Sequence, residues 1–192
     1  MKKNLTVLIS AGATREYIDP VRFISNSSTG RMGFSIAEVI SHEVKKVLLV
    51  CGYTIVEKEF TLPKNIKKIF VESTLQMKDA ILKHIKHADI FISAAAICDF
   101  RVKNFLHKKL KKSNRMLSIK LIRNPDILSL VRKFHRKKFL VGFALETEEG
   151  VNLIKNAFEK LNSKKLDLIV ANTISTIGSE YITGYIIDKY GK

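Results

Sequence analysis

The sequence predicts an α/β fold, a mostly parallel sheet with helices on both faces. Three observations carry that expectation. Apolar runs of strand length recur along the chain with amphipathic, helix-spaced segments between them. Some of these runs, such as Leu5–Ile9 and Asp89–Ala96, are nearly unbroken rather than alternating, as strands buried on both faces must be. A long polar connection then follows the first run, at the strand end where open α/β sheets bind their ligands. Together they predict one domain over residues 1–192 with a doubly wound, Rossmann-like sheet.

The elements follow in order. Leu5–Ile9 is the first strand, and after the polar connection the apolar spacing of Phe34–Ile40 predicts a helix. Lys46–Cys51, closed by Gly52, is a second strand, and Ile66–Val71, beyond a short loop around Pro63, a third. Ser73 and Thr74 offer an N-cap to a helix whose stripe is Leu75, Met77, Ile81, Leu82 and Ile85. The run ending at Ala96 is the next strand. From Asp99 to Arg115, DFRVKNFLHKKLKKSNR, the pattern breaks, and the self-repulsion of so many like charges predicts a mobile basic segment. Leu117–Leu121 alternates as a strand, and Asn124 as cap with Pro125 in the first helical position predicts a helix start. Lys138–Ala144 is a buried strand with Glu146 and Thr147 at its carboxyl end. A helix is expected from about Glu149 to Ser163, with Val151, Ile154, Phe158 and Leu161 on one stripe. Leu166–Asn172 is a further strand, and Tyr185–Ile187 a last β-rich run.

Composition narrows the function classes. A hydrophobic fraction of 46% argues against a disordered chain. No apolar run reaches the length that crosses a bilayer, and the basic start Met1–Asn4 lacks the apolar core of a signal peptide. Cys51 and Cys98 stand far apart and read as buried thiols of a reducing compartment, with a disulfide between them left open. The cytoplasm is the expected location. His84 and His87 lie three apart on a helix without a third ligand, so no metal site is predicted from them. A net charge of +16 suits any polyanion, phosphorylated metabolites included.

The chemistry concentrates in Gly12–Gly33, GATREYIDPVRFISNSSTGRMG. A strand-to-helix connection needs only a few residues, whereas this one spends roughly twenty. Gly30 and Gly33 let backbone N–H groups approach a ligand, and the helix they open offers its positive end to an anion. A phosphate-binding loop is favoured over a flexible surface excursion. The basic segment after Asp99 reads correspondingly as a flap that closes on an anionic substrate and brings a lysine to developing negative charge.

This loop closely resembles the signature of the phosphopantothenate–cysteine ligases. Four further blocks stand in that family's order: SAAAICDFR, the KLKK of Lys109–Lys112, IRNPDIL, and GFALET followed by LDLIVANT. The resemblance runs from about Leu5 to Asn172 and is to the stand-alone bacterial type. It implies a ligase that joins phosphopantothenate to L-cysteine in coenzyme A biosynthesis. A nucleoside triphosphate, CTP in the bacterial type rather than ATP, forms an acyl-nucleotide with release of pyrophosphate, and the cysteine amine then displaces CMP. Mg²⁺ accompanies the triphosphate.

The same resemblance distributes the residues. Asn26 matches the asparagine that holds the carboxylate and the acyl-nucleotide, a neutral amide able to donate where charge develops. Arg22 matches an arginine at the substrate end, where a planar fork suits phosphate or carboxylate. Lys109 falls at the position of a flap lysine that neutralises charge on the phosphates. Gly12, Ser28, Gly30 and Gly33 match the nucleotide-phosphate loop, and Ser93, Ala94, Ala95 and Asp99 the nucleotide and substrate crevice. Pro125, Asp126, Ile127, Leu128 and Phe143 match the base pocket, and Lys160 and Lys164 two further nucleotide-contacting lysines.

The chain departs from the pattern in places. Cys98, Phe100 and Leu145 replace an alanine, another aromatic residue and an alanine. Family members continue past the last strand into a hairpin and closing helix that help form a homodimer, whereas this sequence stops at Lys192, so a domain shortened at its C-terminus is expected. Bacterial members are often fused to a flavin-dependent decarboxylase, and the resemblance implies a separate decarboxylase here. Two rival readings fit the sequence less well. A nicotinamide-dependent reductase would need a compact G-x-G-x-x-G turn and an acidic residue ending the second strand, which here ends Val50-Cys51-Gly52-Tyr53. A nucleic-acid-binding module is suggested by charge alone, without a readout motif, and no membrane partner is expected.

Overall fold

Val7, Leu8 and Ile9 are wholly buried, and the sheet topology explains why. The computed structural model describes residues 3–111, 116–179 and 181–192. In chain order the first elements are β1 (Lys3–Ala11), β2 (Arg15–Tyr17), β3 (Phe23–Ser25), α1 (Arg31–Ser41), β4 (Val44–Cys51) and β5 (Ile66–Phe70). Then come α2 (Thr74–His84), β6 (Ile90–Ser93), β7 (Phe100–Val102), β8 (Leu121–Arg123) and α3 (Ile127–Phe134). The chain closes with β9 (Phe139–Glu146), α4 (Gly150–Lys164), β10 (Leu168–Thr173) and β11 (Gly184–Asp188).

The main sheet has the order β11-β10-β9-β6-β1-β4-β5. All neighbours run parallel except β11, which is antiparallel to β10. β1 therefore lies between β4 and β6, where the winding direction reverses. Alternate residues of the central strands feed two cores. Leu8, Leu48, Phe91 and Leu140 pack under Met77 and Ile81 of α2, Ile127 and Val131 of α3, and Leu153 and Leu161 of α4. Val7, Ile9, Val47 and Leu49 pack on the other face under Phe34 and Ala37 of α1. Phe60 completes that second cover, its ring centroid 5.5 Å from Phe34. The expected doubly wound sheet with helices on both faces is the observed one.

Local signals explain the helix starts. Ser73 caps α2 and forms a full capping box with Gln76, as the Ser73–Thr74 pair suggested. For α3 the expectation needs correcting. Asp126, not Asn124, is the cap, its carboxylate accepting the Ser129 N–H at 3.0 Å, and the helix begins at Ile127 beyond Pro125. Asn124 is turned to tertiary work instead: its amide donates to the Cys98 carbonyl at 2.8 Å and its carbonyl accepts from Arg101 at 3.0 Å.

Three further expectations change. The strand placed at Leu117–Leu121 is Leu121–Arg123, because pairing with Phe100–Val102 selects the register. That same pairing orders the beginning of the basic segment thought mobile throughout. The long connection after β1 is also less irregular than expected, since β2 and β3 form an antiparallel hairpin within it.

Candidate functional site

The root of the hairpin connection is sewn to both strands that flank the reversal point. Ala13 and Tyr53 exchange backbone hydrogen bonds of 2.9 and 2.8 Å on the β4 side. On the β6 side the Ala96 N–H donates to the Gly12 carbonyl at 2.8 Å. Behind the hairpin lies a buried polar seam. The Glu16 carboxylate, 5% exposed, accepts the Thr74 N–H at 2.8 Å at the positive end of α2. The Thr14 hydroxyl accepts the Cys98 N–H at 2.9 Å and lies 3.0 Å from that of Thr74.

The far end of the connection opens α1. Gly30 is its N-cap with φ 84°, a left-handed conformation glycine adopts without penalty. A Cβ there would also stand 2.6 Å from the Thr54 hydroxyl oxygen. Ser28 and Thr29 hydroxyls accept the Gly30 and Arg31 N–H groups at 3.2 and 3.3 Å, and no acidic residue occupies the first turn. The terminus therefore keeps its positive field for an anion. At Gly33 helix and strand nearly touch, and a Cβ would lie 2.4 Å from that of Ala11. Asn26 is exposed, and its side-chain amide donates to the Ile97 carbonyl at 3.0 Å. This brings Asn26 beside the segment that ends at Asp99.

Arg22 and Lys109 also meet. With Leu110 and Lys111 they line a cleft of about 400 Å³. The device that joins them is Asp19, which is not among the candidate site residues named from the sequence. Its wholly buried carboxylate accepts the Val21 and Arg22 N–H groups at 2.8 Å each and the Leu110 N–H at 3.0 Å, and it pairs with the Arg22 guanidinium. The Leu110 amide first, then the two turn amides and Arg22, outweigh burial and hold this carboxyl far below the usual range. Such a link is present above the ordinary carboxylate pKa, about 4, and is lost only as the pH falls through the lower folded value. The Asp19–Pro20 pair is a turn signal visible in the sequence, whereas its partner Leu110, 91 residues on, is not. Lys112, the last residue of the KLKK block, lies outside the described residues.

A second group gathers across the rim. Lys164 pairs with Asp126 at 2.8 Å. Lys160 is half-buried and within the electrostatic reach of Lys164, Glu146, Asp99 and Asp126. Burial first, then the Lys164 charge, pushes the Lys160 pKa down, and the three carboxylates partly offset this. Asp126 is lowered on balance, its burial outweighed by Lys164 and the Ser129 amide. The expected base pocket is not assembled from side chains. Ile127 and Leu128 are 3% and 8% exposed and belong to the core under α3, while half-buried Phe143 packs on the α1 face of the sheet. Ile127 and Leu128 can meet a ligand through their backbone alone. Ser93 is buried at the end of β6, and the Ala94 and Ala95 N–H groups donate to Ser10 at 3.1 and 3.4 Å. Cys51 and Cys98 are both buried free thiols, and burial pushes Cys51 up to about 12.

An α/β sheet wound in this order, with a polar hairpin and an open helix terminus at its reversal point, has its ligand crevice there and lacks the compact turn of a nicotinamide site. Residues 2–191 match the family described as DNA/pantothenate metabolism flavoprotein C-terminal domain, and the chain belongs to that family. The Coenzyme A biosynthesis bifunctional protein CoaBC of Haemophilus influenzae is 46% identical over 175 residues, which are 90% of this chain and 42% of that protein. The chain thus spans less than half the length of the curated relatives it matches. The crystal structure of the C-terminal domain of a CoaBC protein superposes with a TM-score of 0.80 at 34% identity, covering 100% of this chain and 85% of that one. The DNA/pantothenate metabolism flavoprotein from Streptococcus pneumoniae shares the fold, with a TM-score of 0.83 at 21% identity over 96% and 89% of the two chains.

Proposed function

We propose that this domain is a phosphopantothenate–cysteine ligase of coenzyme A biosynthesis that works through an acyl-nucleotide, with CTP as the nucleotide. The observation that carries the reading is Asn26 held at Ile97, between the open α1 terminus at Gly30 and the Asp99 segment. The phosphopantothenate carboxylate attacks the α-phosphorus of CTP, expelling pyrophosphate and forming the acyl-cytidylate. The cysteine amine then attacks the acyl carbon and CMP departs. Asn26 donates to oxygen where charge develops, and the α1 amides bind phosphate. Arg22 binds the substrate's phosphate or carboxylate, and Lys109 neutralises charge during transfer. Lys160 and Lys164 serve the nucleotide on the opposite side of the rim.

Magnesium belongs to this scheme as part of the nucleotide substrate, where it neutralises triphosphate charge. Among the described residues there is no group of three His, Cys, Asp or Glu able to hold a metal alone. A homodimer is supported by the apolar exposure of Tyr185 and Ile186 on edge strand β11. A flavin-dependent decarboxylase is the proposed pathway partner, and the cytoplasm the proposed location. No helix among the described residues is long and apolar enough to cross a membrane.

Pyrophosphate release, measured with phosphopantothenate, cysteine and either CTP or ATP, tests the reading. Release that needs phosphopantothenate and favours CTP is expected, with phosphopantothenoylcysteine formed only when cysteine is added. No release with either nucleotide would overturn it.

A further inference from the structure

Arg15 opens β2, and its guanidinium carbon lies 3.3 Å from the ring centroid of Tyr53 and 4.2 Å from that of Phe23. One ring belongs to β3 and the other to the connection that follows β4. Tyr17 supports the stack edge-on, 5.5 Å from Phe23. Among the described residues no carboxylate forms an ion pair with Arg15, and its buried Nε has no hydrogen-bond partner. A staple serving stability alone would be better made from an apolar side chain, because an unmatched buried donor is costly.

The two rings stand at opposite ends of the Asn26–Gly30 stretch. The strand of Phe23 continues through Ser25, which is paired in register with Arg15 and whose hydroxyl donates to the Thr14 carbonyl at 2.8 Å. Asn26 follows directly. Tyr53 is followed by Thr54, whose hydroxyl donates to the Thr29 carbonyl at 2.6 Å, while the Ile55 N–H donates to the same oxygen at 3.3 Å. The guanidinium therefore ties the entry of the stretch to its exit.

We propose that Arg15 is a positioning residue: stacked between Phe23 and Tyr53, it sets the span from the Asn26 amide to the backbone amides at Gly30 that an acyl phosphate ester must bridge. The inference rests on the ligase reading. Arg15 acts through Asn26 and Gly30 and makes no contact of its own with substrate.

The test uses the full chain and four variants. Arg15→Met keeps the stem without the charged plane, Arg15→Lys keeps the charge, Tyr53→Phe keeps the ring and Tyr53→Leu removes it. For Arg15→Met and Tyr53→Leu, kcat for acyl-nucleotide formation should fall about a hundredfold, the cost of a misplacement near 1 Å. The KM values for phosphopantothenate and nucleotide should stay within about threefold, because uniform binding is untouched. Tyr53→Phe should match the wild type, and Arg15→Lys should fall between. Without substrate, the amides of residues 26–33 should exchange hydrogen about tenfold faster in Arg15→Met and Tyr53→Leu, but not in Tyr53→Phe. A rise in KM at constant kcat would overturn the proposal by making Arg15 a direct ligand. Unchanged exchange in Tyr53→Leu, the gentler variant should Arg15→Met misfold, would overturn it too. An inactive wild type would overturn the ligase reading, and the exchange measurement would still decide whether the stack holds the stretch.

Discussion

Replacing Gly33 by alanine pits two effects of similar size against each other, and the structure decides between them. Gly33 sits in the first turn of α1, and alanine there gains about 1 kcal/mol in helix propensity. The new Cβ would lie 2.4 Å from Ala11 Cβ, 2.9 Å from Ala11 Cα and 3.3 Å from the Ser10 carbonyl oxygen. Ordinary carbon contact is about 3.5 Å, so helix and strand must part by about 1 Å. Ala11 and Ser10 are wholly buried at the end of the central strand, with no room to retreat. With two carbons of Ala11 inside 3 Å, the cost falls in the upper part of the overpacking range, about 2–3 kcal/mol, which exceeds the propensity gain. A net loss of about 1–2 kcal/mol is expected, a fall in Tm of roughly 2–8 °C for a chain this long. Displacing the Gly30 terminus by the same ångström should lower turnover about a hundredfold. Urea unfolding and pyrophosphate release measure the two losses separately. Adding Ala11→Gly removes the closest contact and should restore part of both. A Gly33→Ala protein as stable and as active as the wild type would refute the close seating of α1.

Other substitutions divide the remaining roles. Asn26→Ala should leave stability within about 0.5 kcal/mol because the residue is exposed. Its turnover should drop by about two to three orders of magnitude, and near-normal turnover in a folded variant would remove the role given to Asn26. Lys109→Ala should slow acyl-nucleotide formation in rapid quench more than it weakens CTP binding, since it serves transition-state charge. An unchanged rate would strike it from the catalytic group. For Lys160, burial and the Lys164 charge place the folded pKa below the unfolded value of about 10.4. Stability from this residue should therefore rise as pH climbs from the folded to the unfolded pKa. Thermal melts from neutral to alkaline pH should show that rise in the wild type and not in Lys160→Met, and parallel curves would contradict it.

How much of this was legible beforehand depended on the range of the signal. β1 and β6 could be read from unbroken apolar runs because both faces of a central strand are covered, leaving no polar position to interrupt them. The start of α2 could be read because Ser73 and Gln76 are three residues apart and cap each other. The length and polar, glycine-bearing composition of the connection after β1 marked it as the site, both being properties of one segment. Asn124 misled because a cap and a tertiary hydrogen bond use the same side chain, and nothing local says that Cys98 is near. The alternation of Leu117–Leu121 misled for a related reason: period two shows that a segment can be a strand, while Phe100–Val102 decided which residues pair.

The sequence by itself determined the alternation of strand and helix, the two-sided burial of the central strands and the polar loop at the first strand's end. Each is a property of one segment and its own side chains. Tertiary structure alone decided that Asp19 would grip Leu110, that Thr14 would hold Cys98 84 residues away, and that Arg15 would lie between Phe23 and Tyr53. It also decided that Phe143 and Leu128 would face opposite sides of the sheet. The physical reason is that hydrophobic periodicity records only how deeply a segment is buried. The partner of a buried charge or hydrogen-bonding group depends on which strands become neighbours where the winding reverses.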